Sequence, residues 1–381
     1  MATTLRGITW NHSRGFTSIV GVTQRYAELH PGTDIVWEKR SLSEFESKPI
    51  QELAEEYDFL VIDHPWAGFA AKHNVMLPLN EYLPAEFLAD QRENSVGKSF
   101  ESYNFDGFQS ALPIDAASPV AVSRPDKIGA DELPRTFEEV IELAKTGKVI
   151  YAATPTYLLM DFYAMCATSG GSLFNPADAE HVVDREHGLM VLEDMRRLAS
   201  LCPSEVFSLN TIDVHEALAT SDTAVYCPWV YGYVNYSRRG YAAHPVKATN
   251  IPTYHGSILQ GVLGGTGLAV SAKTQHVDMA IDFVRYALSP EVQSTLYTDN
   301  GGQPGHRAAW LDEECNRTTL DFFKDTLDTL DAAYLRPRYS GYLYFQDNAG
   351  PVLHEFVQGE LAAEAALDKL DSIYVTSRTK A

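Results

Sequence analysis

The first candidate site is a run of four polar residues that follows the apolar residues 5–10: Asn11, His12, Ser13 and Arg14. A connection between a strand and a helix needs only turn residues, whereas this one offers hydrogen-bond donors and acceptors of several kinds. Ligands of open α/β sheets bind outside the carboxyl ends of the strands, so this position predicts a ligand contact. The guanidinium of Arg14 can bind vicinal hydroxyls or a carboxylate. The alternative, left open, is that Asn11 or Ser13 only caps the helix that follows.

A second group of candidates ends the apolar stretch in "DFLVIDHPWAG": Asp63, His64 and Trp66. A carboxylate accepts from two hydroxyls, an imidazole donates or accepts, and an aromatic face covers the apolar side of a sugar ring. The group favours a carbohydrate ligand, and the alternative is an internal Asp–His hydrogen bond. Asp115, in "LPIDAASPVAVSRPD", is expected on the floor of the same site, unless it is a structural carboxylate that binds backbone amides.

Aromatic and glycine-rich segments supply further candidates. In "CPWVYGYVNY", alternation along a strand places Trp229, Tyr231 and Tyr233 on one side. One or two of them are predicted to face the ligand, Trp229 first, although aromatic stripes also form cores. Gly265 and Thr266 in "GVLGGTGLAV" could offer backbone N–H groups to the ligand, or form a tight turn of the strand. They do not lead from a strand into a helix, which disfavours a dinucleotide fingerprint.

The elements that must position these residues form two groups. Near-continuous apolar stretches alternate with helical patterns over the first 115 residues, which predicts a parallel, doubly wound sheet. Residues 108–126 are predicted to cross into a second domain, and "SILQGVLGGTGLAVSAKT" to return. The predicted lobes are residues 1–114 with 262–312, and 115–261 with 313–381, each a sheet flanked by helices. Lobes joined by several strands would close about a hinge on a ligand in the cleft.

Composition restricts the function classes. A chain of 381 residues predicts about two domains. With 45% hydrophobic and 21% charged residues it is typical of a soluble globular protein. The net charge of −21 disfavours nucleic acid and anionic membranes as partners, because an acidic field repels both. No stretch approaches the roughly 20 apolar residues that span a bilayer.

The cysteines and the first residues give two weaker indications. Cys166, Cys202, Cys227 and Cys315 show neither CxxC spacing nor a pairing with His, so no metal site and no cofactor is predicted. Buried free thiols are expected, with one disulfide as the alternative in an exported chain. "MATTLRGITW" has no basic region followed by an apolar one, so no signal peptide is recognised.

In their order and spacing, these segments resemble the carbohydrate-binding solute-binding proteins of ABC importers, the group that includes the maltose-binding protein. "TWNHSRGF" and "IDHPWAG" match its sugar-contacting loops, "LPIDAASPVAVSRPD" and "QGVLGGTGLAVSAKT" match its crossings, and "CPWVYGY" matches the loop with a stacking aromatic. The resemblance covers nearly the whole chain and implies a two-lobe, type II-like periplasmic-binding-protein fold with crossing hinge strands and a helical C-terminal tail. An interruption in the family's tail often approaches the cleft, which adds Arg336 and Gln346 as candidates, the alternative being solvated arginines.

The resemblance implies a solute-binding component of an ABC importer that binds a small carbohydrate, polyol or sugar acid. Its partners would be the solute and the permease membrane subunits. A monomer is expected in the periplasm or at the cell surface, although without a recognised export signal the cytoplasm stays open. One alternative is a glycoside-processing enzyme that uses Asp63 and Asp115, for which no nucleophile motif appears. The other is a metal-binding importer component that uses His12, His64 and Asp63, or the tyrosines, for which the ligand spacing is missing.

Overall fold

The computed structural model describes residues 3–380, except the side chains at positions 43, 46 and 47. Its strands are, in chain order, β1 (Thr3–Trp10), β2 (Thr33–Arg40), β3 (Phe59–Ile62), β4 (Asn104–Phe105), β5 (Phe108–Gln109), β6 (Leu112–Ala117), β7 (Pro119–Ser123), β8 (Tyr226–Tyr231), β9 (Lys247–Thr249), β10 (Thr253–Tyr254), β11 (Ser257–Ile258) and β12 (Gly264–Val270). Its α-helices are α1 (Phe16–Leu29), α2 (Leu42–Ser47), α3 (Ile50–Glu56), α4 (Ala67–His73), α5 (Leu79–Tyr82), α6 (Ala85–Asn94), α7 (Ser99–Ser102), α8 (Phe137–Ala144), α9 (Pro155–Ser169), α10 (Arg185–Ala199), α11 (Thr211–Thr220), α12 (Val277–Ala287), α13 (Pro290–Val292), α14 (Arg307–Leu311), α15 (Glu313–Arg317), α16 (Phe322–Asp331), α17 (Tyr342–Val357) and α18 (Ala363–Ser377).

The described chain divides into two compact units built from separate stretches of sequence. Unit 1 contains the residues up to Ala117, Gly264–Lys324 and Arg338–Ser340, and unit 2 contains Ser118–Leu263, Asp325–Pro337 and the residues from Gly341 onward. The extended segment at residues 108–126 therefore contains β6, in unit 1, and β7, in unit 2. The chain returns to unit 1 at the first residue of β12.

Unit 1 is built on a five-stranded sheet with the order β2-β1-β3-β12-β6. β1 pairs in parallel with β2 and with β3, as the alternation of apolar strands and helices predicts. β12 lies antiparallel between β3 and β6, so the complete sheet is mixed. All four residues of β3 are buried, because both faces of the sheet are covered.

The core of unit 1 lies between this sheet and amphipathic helices. Ile19, Val22 and Tyr26 repeat at helical spacing along α1 and are buried. They belong to one hydrophobic cluster with Phe59 of β3 and Phe283 of α12. Fully burying each such side chain stabilises the fold by about 1.5–3 kcal/mol, so the two helices are anchored firmly on the sheet.

Unit 2 contains a three-stranded antiparallel sheet with the order β8-β7-β9 and several helices. Thr136 and Glu139 form a capping box at the start of α8. α17 approaches α9 closely at Gly350, where a Cβ atom would lie only 2.8 Å from the carbonyl oxygen of Pro155. A larger residue at this position would push the two helices apart.

The predicted helical tail is confirmed as α16, α17 and α18, with an interruption at residues 332–341. None of the helices within residues 3–380 combines the length and the apolar character needed to cross a membrane.

Candidate ligand-binding site

Arg14 and Asp115 form a buried ion pair at the carboxyl end of β1. Arg14 Nε donates to Asp115 Oδ2 over 2.8 Å, and Arg14 Nη2 donates to Asp115 Oδ1. The two residues are only 4% and 1% exposed. This fork-to-carboxylate arrangement is the strongest geometry open to an arginine, so the two predicted site residues are partners of each other.

The local backbone holds Arg14 in place. The Arg14 N–H donates to His12 Nδ1 over 3.0 Å, and Ser18 Oγ donates to the Arg14 carbonyl oxygen over 2.6 Å. Burial raises the pKa of Asp115, and the attraction of Arg14 opposes that rise. A buried pair whose charges neutralise each other can support a binding surface without contacting the ligand itself.

The polar run of residues 11–14 ends directly before the N-cap residue of α1. The N-cap residue is Gly15, and it makes no side-chain hydrogen bond to the first turn. Neither Asn11 nor Ser13 occupies the N-cap position of α1. Asn11 is exposed, and His12 and Ser13 are half-buried at the end of the strand. Their role in ligand binding stays a prediction.

Asp63, His64 and Trp66 lie in a single helical turn after β3. Asp63 Oδ1 accepts from the His64 N–H over 2.8 Å and lies 3.2 Å from His64 Nδ1. The internal Asp–His contact that the sequence left as an alternative is thus present. His64 and Trp66 are buried, Trp66 packs edge-on against Phe69, and Asp63 is half-buried. Asp63 therefore offers more surface to a ligand than its two neighbours.

Gly265 and Thr266 begin β12 opposite β6. Gly265 has φ of +92°, and a Cβ atom there would lie 2.5 Å from the Asp115 carbonyl oxygen. Only glycine fits this conformation and this approach. Thr266 pairs with Asp115 in the ladder, directly before an irregularity of the register. Its Oγ1 is buried and has no hydrogen-bond partner among the described residues. The strand-turn interpretation therefore accounts for Gly265, and the contact with a ligand stays a prediction.

The aromatic residues of β8 and its following loop in unit 2 differ in their surroundings. Trp229 is 6% exposed and stacks on Phe137, with ring centroids 6.3 Å apart. Tyr231 is half-buried, and its carbonyl oxygen accepts from Thr211 Oγ1 over 3.1 Å and lies 3.0 Å from His215 Nε2. Trp229 thus packs within the unit, and Tyr231 is the better placed of the two to contact a solute.

A small cavity of unit 2 lies beside Trp229. Its lining is apolar except for one carboxyl group, one phenol and one indole: Phe137, Tyr151, Leu158, Asp161, Met165, Met195, Leu198 and Trp229. Burial raises the pKa of Asp161 well above its ordinary value. The Trp229 indole, on the wall of the same cavity, opposes that rise of the pKa by hydrogen bonding to the Asp161 carboxyl group.

Arg336 and Gln346 are brought together in unit 2. Arg336 Nη1 donates to Gln346 Oε1 over 2.9 Å, and both residues are buried. The alternative of a solvated arginine is therefore wrong for Arg336. Their predicted contact with the ligand stays a prediction.

Metal and disulfide chemistry have no support in the described residues. Among them, no three His, Cys, Asp or Glu side chains are grouped so that they could hold a metal ion. All four cysteines are free thiols, and only Cys202 is partly exposed. The structure therefore agrees with the expected free thiols and not with the alternative of one disulfide.

Sequence reasoning missed one residue at the carboxyl end of this sheet. Arg40 ends β2 beside Trp10 of β1, and it is 7% exposed. The signal was present in "TDIVWEKR", because the rule that drew attention to the ends of the first and third strands applies to the second as well.

Each of the two α/β units is built from several separate stretches of the chain, and hydrogen-bonding and aromatic side chains lie at the ends of their strands. The maltose-bound MalE3 protein of T. maritima shares this fold with a TM-score of 0.82, at 16% identity over 98% of this chain and 99% of that chain. A ribitol-bound ABC transporter solute-binding protein of Agrobacterium radiobacter K84 also has a TM-score of 0.82, at 18% identity over 97% of each chain.

The family model described as bacterial extracellular solute-binding protein matches residues 22–319, and the chain belongs to this family. A probable ABC transporter-binding protein of Deinococcus radiodurans is 22% identical over 307 residues, which is 74% of this chain and 70% of that protein. An arabinooligosaccharide-binding protein of Halalkalibacterium halodurans is 24% identical over 278 residues, which is 65% of this chain and 58% of that protein. The predicted family, fold class and solute-binding role are confirmed.

Proposed function

We propose that this protein binds a small carbohydrate, polyol or sugar acid and delivers it to the membrane subunits of an ABC importer. Family membership carries the proposal, since relatives and structural neighbours are described as binding arabinooligosaccharide, maltose, ribitol or tagatose. The polar and aromatic chemistry at the strand ends supports it. The family also supports a location in the periplasm or at the cell surface, where such a protein would meet the permease.

The ligand surface that we propose in unit 1 consists of the residues that follow β1 and β3. Asn11, His12 and Ser13 offer hydrogen bonds after the first strand, and Asp63 offers a half-buried carboxylate after the third. The Arg14–Asp115 pair supports this surface from below by tying the end of β1 to β6. The same pairing favours binding over glycoside hydrolysis, because Asp115 is committed to Arg14.

In unit 2 we propose Tyr231 as the first aromatic contact. Its carbonyl group is held by Thr211, and its ring lies 6.1 Å from that of Tyr157, so its position is defined before a ligand binds. Trp229, Arg336 and Gln346 stay predicted contacts. Closure of the predicted lobes on the ligand and a monomeric state also stay predictions, to be measured by small-angle scattering and sedimentation.

A thermal-shift screen tests the proposal directly. Maltose, ribitol, tagatose and an arabino-oligosaccharide form the first panel, followed by other polyols and sugar acids. A ligand at 100 times its dissociation constant should stabilise the native state by about 2.7 kcal/mol. No stabilisation by any member, with the folded state confirmed by circular dichroism, would contradict the function.

The aromatic contact is tested with a matched pair of variants in unit 2. Tyr231→Ala should weaken the binding of the identified ligand at least tenfold, because the variant lacks the ring that would stack on the ligand and the hydroxyl that would hydrogen-bond to it. Tyr241→Ala removes an exposed tyrosine of the same unit and should leave the affinity unchanged. Equal affinities of the two variants would remove Tyr231 from the site.

A further inference from the structure

The guanidinium of Arg40 lies across the carboxyl end of the unit 1 sheet. Arg40 is the last residue of β2, opposite Trp10 of β1 in the ladder. Its Nη2 reaches the carbonyl oxygen of Val61 in β3 at 3.5 Å. Since β1 lies between β2 and β3, the side chain extends over the end of β1. It therefore occupies the edge of the sheet at which ligands of open α/β folds bind.

This cation is poorly satisfied for a buried one. Its two hydrogen bonds, to the carbonyl oxygens of Val61 and Glu44, are long at 3.5 and 3.3 Å, and its Nε has no partner among the described residues. Within the same residues no carboxylate forms an ion pair with it. The Glu44 carboxylate is used instead to cap α2, where it accepts from Ser41.

The burial of Arg40 disfavours its charged form, which changes its pKa. Burial lowers the pKa of Arg40 to about 10, although Glu44 partly opposes that change. Buried charges in proteins are ordinarily paired, because desolvation is not otherwise compensated. Arg14, on the same edge of the sheet, obeys this rule through Asp115. Arg40 has no such carboxylate among the described side chains, which points to an anion supplied by a ligand.

A second unsatisfied donor lies close by. Trp10 is 3% exposed, and its Nε1 has no acceptor among the described residues. The Trp10 ring is 5.5 Å from the ring of Phe45, and Cζ of Arg40 is 5.2 Å from that same ring. One aromatic ring thus contacts both groups, and each of them carries an N–H without an acceptor.

We propose that Arg40 and Trp10 form a subsite for a carboxylate group of the transported solute, which makes that solute a sugar acid. The inference rests on the proposed function and narrows its substrate class. A carboxylate accepts two parallel hydrogen bonds from a guanidinium and can accept from an indole as well. The overall charge of −21 opposes loose attraction of anions, so the hydroxyls of the solute must add to the binding.

The test compares Arg40→Met with Arg285→Met, which removes an exposed arginine of the same unit. Wild type and both variants are titrated, by thermal shift and calorimetry, with sodium glucuronate, galacturonate, gluconate and acetate. Glucose, galactose and sorbitol are the neutral counterparts, and sodium chloride holds the ionic strength constant. We expect a sugar acid to bind wild type and Arg285→Met alike and to bind Arg40→Met at least tenfold more weakly. Arg40→Lys, which keeps the charge but loses the fork, should fall between them.

Each other outcome overturns the inference. Stabilisation by acetate and chloride as strong as that by the sugar acids would assign the subsite to a free anion and not to the solute. Equal loss in Arg40→Met and Arg285→Met, or no response of wild type to any carboxylate, would remove the subsite. If neutral sugars stabilise wild type and Arg40→Met equally, this inference fails while the proposed function stands. If no sugar of either charge binds, the proposed function fails.

Discussion

Removal of the Asp115 carboxylate would leave the Arg14 guanidinium buried and uncompensated. Both side chains are almost fully excluded from solvent, and two charge-assisted hydrogen bonds join them, so water cannot replace the lost partner. Breaking a buried pair by removing one member costs about 3–5 kcal/mol. For a domain of 150–250 residues this corresponds to a lower melting temperature by roughly 6–20 °C. Asp115→Ala should show this loss in urea unfolding followed by circular dichroism and in calorimetry.

Two further variants separate the pair from a general effect of aspartate removal. Asp34→Ala removes an exposed carboxylate of β2 and should change the unfolding free energy by less than about 0.5 kcal/mol. The double variant Arg14→Met with Asp115→Leu removes both charges and should recover most of the loss, since apolar replacement of a buried pair is often neutral or stabilising. A loss below about 1 kcal/mol in Asp115→Ala, or a double variant as unstable as the sum of the single ones, would refute the reasoning.

Three more outcomes are expected. Gly265→Ala should destabilise the fold by clearly more than the strain of a left-handed backbone, about 1–2 kcal/mol, because its Cβ atom would also clash with the backbone of β6. Gly32→Ala is the control, because Gly32 has the same strain but open space around it. Equal losses of unfolding free energy in urea would contradict this prediction. Burial raises the pKa of Asp161, so its contribution to stability is fully present below the unfolded-state pKa and is lost as the pH rises toward the folded-state value. Asp161→Asn should therefore lack this pH dependence and be more stable than wild type at pH 8 in urea unfolding. A variant less stable than wild type at pH 8 would contradict the sign. Arg338→Ala should cost about 1–3 kcal/mol by calorimetry, because Arg338 Nη1 donates to three backbone carbonyl oxygens at the end of α7 and the start of β4; a loss no larger than that of Arg285→Ala would show that these bonds contribute nothing.

Local pattern was enough to predict the elements of this chain. The alternation predicted over the first 115 residues is present as the strands β1, β2 and β3, which are separated by helices. Apolar strands that alternate with helices predicted the parallel pairing of β1 with β2 and β3. Such patterns are readable because a strand with both faces covered must be apolar throughout, and a surface helix must be apolar on one side. The order of the segments then led to the family.

The partners of the site residues could not be read in this way. Arg14 and Asp115 are 101 positions apart, and Asp115 belongs to this sheet only because β6 pairs with β12, a strand from much later in the chain. The same alternation that placed Trp229 and Tyr231 on one side of a strand did not reveal that Phe137 covers Trp229. Pairing and covering depend on which elements pack together, and a single sequence shows only neighbours along the chain.

The sequence by itself determined the kind of chemistry at the strand ends: acceptors and donors for hydroxyls, aromatic faces, and cationic side chains, Arg14 among them. Only the tertiary structure decided which of those cations are neutralised. Arg14 pairs with the carboxylate of Asp115 on the edge strand β6. Arg40 crosses to β3, and the described residues offer it two backbone carbonyl oxygens and the Phe45 ring but no carboxylate. The physical reason is that the free energy of burying a charge depends on the atoms that surround it in space. The residues that precede and follow it in the sequence do not set the cost of desolvation.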